Sequence, residues 1–116
     1  MKYTVSMKEK HLFRRLYAKG KTVVSPTLAV YARPNHSKRS RLGFTVSTKL
    51  GHAVVRNLVR RRLREAYRIH EEQMLPGWDL VVVARVKAAH VPYRQLEREL
   101  LRALDKLGVK KGEDRL

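Results

Sequence analysis

The sequence predicts an α/β (α+β) two-layer sandwich, with elements in the order α-β-β-β-α-β-α around a central mixed sheet of about four strands. Three observations predict it. Amphipathic helical stripes with recognisable ends fall at the start, middle and end of the chain. Short β-rich runs, "TLAVYAR", "RLGFTVS" and "WDLVVVARV", lie between them. A length of 116 residues with 43% apolar content suits one buried core, so residues 1–116 read as a single domain with a short flexible tail at about 109–116.

The first helix is expected in "SMKEKHLFRRLYAKG". Ser6 and Glu9 have capping-box spacing, Leu12, Phe13, Leu16 and Tyr17 form a stripe, and Gly20 stops it. "KTVV" ahead of Pro26 reads as a brief edge strand. "TLAVYAR" and "RLGFTVS" flank the turn-rich "PNHSKRS" and read as a hairpin, with Leu42, Phe44 and Val46 on one face and Gly43, Thr45 and Ser47 on the other. A long helix follows over about 53–74, ended by Pro76-Gly77. "WDLVVVARV" is almost continuously apolar, as a strand buried on both faces should be. Pro92 opens a last helix carrying Leu96, Leu100, Ala103, Leu104 and Leu107, and Gly108 closes it.

Charge narrows the function. Of 27 Lys/Arg and 10 Asp/Glu, residues 1–64 hold 17 basic side chains against one acid, Glu9, so +16 of the net +17 lies there. Self-repulsion of that size destabilises a compact state unless a polyanion answers it. Nucleic acid is the first candidate and an anionic membrane surface the second. No apolar run approaches the ~18–20 residues that span a bilayer. The start has no apolar signal-peptide core, and cysteine is absent. The chain therefore reads as soluble and cytoplasmic.

The middle helix carries the field. "AVVRNLVRRRLREAYR" places five arginines between Arg56 and Arg64 with no carboxylate among them. At ~100° per residue, Val55, Val59, Leu63, Ala66 and His70 share an apolar stripe flanked by Leu58 and Ile69. Arg56, Arg60 and Arg64 form an (i, i+4) row with Asn57, Arg61 and Arg68 beside it, while Arg62 falls near the apolar stripe and must snorkel from its edge. A solvated helix face usually mixes signs, and this one does not. The guanidinium fork matches phosphate and stacks on bases, and Asn57 suits a sugar hydroxyl or base edge. With the apolar stripe committed to a core, RNA or DNA fits this face better than a membrane.

"KLGHAVVRNLVRRRLREAYR" resembles the signature of the bacterial ribonuclease P protein family, K-x-G-x-A-V-x-R-N-x-[IVL]-[KR]-R-x-[ILV]-[RK], matching at Lys49, Gly51, Ala53, Val54, Arg56, Asn57, Arg60, Arg61 and Arg64. Leu58 stands where that family usually carries Arg or Lys. "LFRRLYAKG", "LAVYAR" and "WDLVVVAR" are similar to its first helix, central strand and last strand, so the likeness spans roughly residues 6 to 108. The resemblance implies a left-handed β-α-β crossover around the basic helix. It implies binding to a catalytic RNA subunit and to precursor tRNA, whose 5′ leader the complex removes, with no obligate protein partner. It implies that Lys49, Arg56, Asn57, Arg60, Arg61, Arg64 and Arg68 contact the RNA subunit. Phe13, Tyr17, Tyr31 and Arg33 would line a cleft for the single-stranded leader, although the stripe shared by Phe13 and Tyr17 with Leu12 and Leu16 reads on its own as core. The RNA would perform the chemistry with Mg²⁺ bound mainly by RNA, and the protein would hold no cofactor tightly.

The residues themselves show no catalytic constellation. Asp79, Asp105 and Asp114 are scattered, Glu71 and Glu72 point apart on a helix, and the five histidines lack metal-ligand spacing. Two rival readings remain at this point. One is a basic ribosomal RNA-binding structural protein, and the other a DNA binder using the basic helix in the major groove, against which stands the lack of a helix-turn-helix partner.

Overall fold

Residues 78–84, the most apolar run in the chain, form the centre of the sheet, and everything else is arranged about them. In a computed structural model that describes residues 1–112, five strands occur: β1 (Thr4–Ser6), β2 (Lys21–Val24), β3 (Leu28–Pro34), β4 (Ser40–Thr45) and β5 (Trp78–Ala84). Their order across the sheet is β1-β4-β5-β3-β2. β5 runs parallel to β4 and antiparallel to β3, and β1 lies parallel to β4 on the outer edge. The sheet is therefore mixed, within the predicted α+β class, and has five strands where about four were expected.

Two expectations are corrected. β3 and β4 are not a hairpin, because β5 lies between them and pairs with both. The turn-rich segment between them instead carries the chain across the width of one strand. The Ser6–Glu9 capping box is also absent: Ser6 pairs with Leu42 in β1, and the first helix, α1 (Lys10–Lys19), begins after Glu9 with no side-chain cap. "KTVV" is the expected edge strand.

Strand alternation sorts the side chains onto two faces. Leu28, Val30, Ala32, Leu42, Leu80 and Val82 face the larger core, which they share with Val59, Leu63, Ala66 and Tyr67 of α2 (Ala53–Ile69) and Leu96, Leu100, Ala103 and Leu104 of α3 (Tyr93–Lys106). Val81 faces the other way, into a smaller cluster with Met7, Leu12 and Leu16. So α1 covers one face and α2 with α3 the other, which explains why β5 is apolar on both faces beyond Asp79. At Gly43 this packing is closest: a Cβ there would lie 2.5 Å from Phe13 Cζ.

The buried acids are all engaged. Glu99 of α3 accepts from Thr27 N at 2.9 Å and Thr27 Oγ1 at 2.8 Å, fixing the β2–β3 turn. Glu71, in a 3₁₀ turn just past α2, accepts from the backbone N–H of Lys2 at 2.8 Å and of Tyr3 at 3.3 Å, tying the chain start to the helix end. α2 stops at Ile69, short of the predicted 74. α3 ends as predicted before Gly108, whose φ of 84° suits glycine. The predicted tail starts too early: Val109 is fully buried, its carbonyl accepts from Leu75 N at 2.7 Å, and Lys110 bridges Met74. The rest of that tail, 113–116, lies outside the described residues.

Candidate nucleic-acid interface

α2 is amphipathic in the way its spacing predicts. Val59, Leu63 and Ala66 are buried, and Val55 and His70 are half-buried at the stripe's edges. His70 Nε2 lies 3.0 Å from Glu97 Oε2, linking α2 to α3. Tyr67, which sequence reasoning left off the stripe, is also buried, with its hydroxyl 3.1 Å from Thr4 Oγ1. Burial drives the Tyr67 pKa up, against the opposing hydrogen bond from Thr4.

The cationic side chains divide into two groups. Arg56, Arg60 and Arg64 follow the flank of α2, where Arg60 and Arg64 overhang a depression of about 200 Å³ shared with Met7, Gly43 and Phe44 at the β4 edge. Arg56 is half-buried, and its Nε has no hydrogen-bond partner among the described residues. An unsatisfied buried donor costs stability. Asn57, Arg61, Arg64 and Arg68 are exposed, and Lys49 is exposed on the 3₁₀ turn ahead of the helix. Arg60 Nη1 donates to Asn57 Oδ1 at 3.0 Å. Arg68 differs from the others, because it is paired with Glu65. That hydrogen bond holds the Glu65 pKa below its ordinary range. Arg62 is half-buried, as its place beside the apolar stripe requires.

On the opposite face, α1 and the sheet bring three of the other predicted residues together. Tyr17 and Tyr31 meet edge to face, with centroids 4.9 Å apart and rings at 83°. Tyr17 is 42% exposed rather than core, and its hydroxyl lies 2.6 Å from Thr45 Oγ1. Phe13 is half-buried over Gly43, at a shallow depression it shares with Lys10 and Arg14. Tyr31 and Arg33 are half-buried on this face, the less apolar side of β3, as the alternation predicts. Arg33 stands in register with Asp79, which stands in register with Arg41. Arg41 Nε and Nη2 each donate to the Asp79 carboxylate at 2.7 Å.

Sequence reasoning missed Thr45, Lys10, Arg14 and the Arg41–Asp79 pair. Thr45 and Gly43 were legible as one strand face, but their meeting with α1 depends on tertiary packing. The arrangement offers aromatic faces and cations on one side of the β4 edge and a carboxylate-poor arginine row on the other. Such a surface can hold phosphates and unstacked bases. Among the described residues no group of three or more His, Asp or Glu could hold a metal ion, and no helix is long and apolar enough to cross a membrane.

Known proteins resemble this chain along nearly all its length. The family model described as Ribonuclease P matches residues 1–108. A ribonuclease P protein component from Roseiflexus castenholzii is 40% identical over 113 residues, covering 97% of this chain and 93% of that protein. One from Natranaerobius thermophilus is 34% identical, covering 91% and 92%. The solved RNase P protein of Staphylococcus aureus superposes with a TM-score of 0.84 at 34% identity, over 91% of this chain and 97% of that one. That of Thermotoga maritima superposes at 0.72 with 31% identity, over 78% and 86%.

Proposed function

Because the chain belongs to the ribonuclease P protein family, we propose that it binds the catalytic RNA of that enzyme through α2 and the 5′ leader of precursor tRNA through the α1 face. As the protein subunit of ribonuclease P it takes part in tRNA 5′ maturation. The observation that carries the reading is the arginine row of α2, which has no carboxylate within residues 53–64 to answer it. Arg56, Asn57, Arg60, Arg61 and Arg64, with Lys49 ahead of them, would contact phosphate and sugar of the RNA subunit. Arg68 would contribute less, since Glu65 already neutralises it. Phe13, Tyr17, Tyr31 and Arg33 would receive the single-stranded leader, aromatic faces against bases and Arg33 against phosphate.

Phosphodiester hydrolysis is assigned to the RNA. The carboxylates that are buried here already serve the fold: Asp79 binds Arg41, Glu99 binds Thr27, and Glu71 binds the amides of Lys2 and Tyr3. Among the described residues no cluster of three or more His, Asp or Glu offers a ligand set for a metal ion. Mg²⁺ belongs to the holoenzyme, bound mainly by RNA. The protein lowers the Mg²⁺ demand by placing fixed cations where two RNA strands would repel each other. The cytoplasm, where precursor tRNA is made, is its place of work. The ribosomal and DNA-binding readings lose their support to the family assignment.

The test is cleavage of precursor tRNA by the cognate RNA at low Mg²⁺, with and without this chain. Strong stimulation is expected, and an unchanged cleavage rate would overturn the reading.

A further inference from the structure

The outermost face of α2 holds an apolar notch that phosphate binding leaves unused. Val54 is 80% exposed, the most exposed large hydrophobic side chain among the described residues. One turn on, Leu58 is half-buried, and together with Asn57 and Arg61 the two line a shallow depression. Val54 faces water inside an otherwise cationic surface, and Leu58 beside it is covered only in part. Covering them stabilises whatever complex does so, by apolar area removed from water.

Asn57 supplies the second element. Arginine offers only donors, so the contact of Arg60 Nη1 with Asn57 at 3.0 Å places the amide oxygen toward Arg60. The amide NH₂ is then left to donate elsewhere. Arg60 acts here as a positioning residue. An amide oxygen already accepting from Arg60 has one lone pair left, so a base edge that only accepts is favoured over the usual two-bond reading of adenine.

Resting on the reading of α2 as an RNA-binding surface, we propose that the Val54–Leu58 notch receives one unstacked nucleobase of RNA. Its ring lies on the two aliphatic side chains, Asn57 Nδ2–H donates to a carbonyl oxygen on its edge, and Arg61 bonds the adjoining phosphate. Uracil, guanine and cytosine carry such a carbonyl, and adenine does not. Charge selects this occupant: residues 53–64 contain five arginines and no acid, so the partner brings anions together with a flat apolar face. A notch one helical turn long is also sized for a single ring.

The experiment uses the full chain with methyl-labelled valine and leucine, titrated with a short oligo(U) and with an abasic ribose-phosphate oligomer of equal charge. Ring-current shifts of the Val54 and Leu58 methyls are expected with oligo(U) and not with the abasic oligomer. Val54→Ser, at an exposed position, should weaken oligo(U) binding by about five- to tenfold and leave abasic binding and its salt dependence unchanged. Equal methyl shifts with both oligomers, or equal weakening of both by Val54→Ser, would overturn the notch while leaving α2 an RNA surface. If neither oligomer perturbs α2 and neither affinity falls with salt, the underlying RNA-binding reading fails instead.

Discussion

Arg41 grips Asp79 with two parallel hydrogen bonds of 2.7 Å, and Asn35 Nδ2 donates to the same carboxylate at 3.0 Å. Arg33 flanks Asp79 from the other neighbouring strand, yet no ion pair joins them among the described residues. One of two arginines around a single acid is thus neutralised and fixed, and the other keeps its charge for a ligand. The pairing raises the Arg41 pKa further above its ordinary value, chiefly through the hydrogen bond to Asp79.

Asp79→Asn should therefore act in two directions. Losing a charge-assisted pair is expected to cost about 1–3 kcal/mol of stability, read as a lower urea midpoint. Freeing the Arg41 charge beside Arg33 should tighten binding of single-stranded RNA and steepen its salt dependence. A fall in both stability and affinity would place Asp79 among the ligand contacts.

Gly43→Ala tests the approach of α1 to β4. The added methyl would lie 2.5 Å from Phe13 Cζ and 3.3 Å from Met7 Cβ, so overpacking of roughly 1–3 kcal/mol is expected. In a Phe13→Ala background the penalty should largely vanish. A double-mutant cycle by denaturant unfolding measures the coupling, and additive losses would place the strain elsewhere.

The leader face separates aromatic function from core function. Tyr17→Ala removes a side chain that is 42% exposed and is expected to cost under about 1.5 kcal/mol of stability, well below a buried aromatic. Leader-bearing precursor tRNA should bind several-fold more weakly to this variant, and to Phe13→Ala, with mature tRNA unaffected. Equal losses for the two tRNAs would remove these residues from the leader contact.

Arg60→Ala should flatten the log–log salt dependence of RNA binding by about 0.7–0.9 units, one phosphate contact. Arg68→Ala, whose charge Glu65 already meets, is expected to change the slope less. Equal slopes for both variants and the parent would place the row outside the interface.

Acid should unfold the protein through Glu71 and Glu99. Burial alone pushes both pKa values up, but hydrogen bonds outweigh it: Thr4 and the Lys2 and Tyr3 amides at Glu71, and Thr27 and Gln95 at Glu99, so both lie below the ordinary glutamate value. A carboxyl depressed in the folded state contributes stability that is full above its unfolded pKa of ~4.3 and fades as pH falls through the folded value. Urea midpoints from neutral pH downward should hold to about pH 5 and then drop. In Glu71→Gln/Glu99→Gln that drop should be shallower, and an identical pH profile would assign the effect to other groups.

Periodicity carried the helices well, because a stripe such as Val59, Leu63 and Ala66 is a local property of the chain. Strand pairing is not local. The segment from Pro34 to Ser40 announced a reversal, but nothing in it says that residues 78–84 will enter between the two strands; only the unbroken apolar character of β5 hinted at a central position. β1 escaped notice because three residues are too few to show alternation, and Ser6 and Glu9 imitate a helix start. Among site residues, the arginine row was legible from spacing and charge. Tyr17 was not, since a stripe shared with Leu12 and Leu16 reads as core until α1 is seen to overhang β4. Val54 falls off the apolar stripe and carries no charge, so neither spacing nor charge gave it a role.

The place of β5 also sets a timetable. Ribosomes release the chain from its start, so β3 and β4 are made long before the strand that joins them, with the whole of α2 synthesised in between. Until Ala84 has emerged, β4 can pair only with the three residues of β1, and α2 presents its arginines with no completed sheet behind it. A nascent chain halted before Trp78 should thus be protease-sensitive apart from local helix and the β2–β3 ribbon. Adding fewer than ten further residues would close the sheet at a single step, a late and cooperative event for so small a protein.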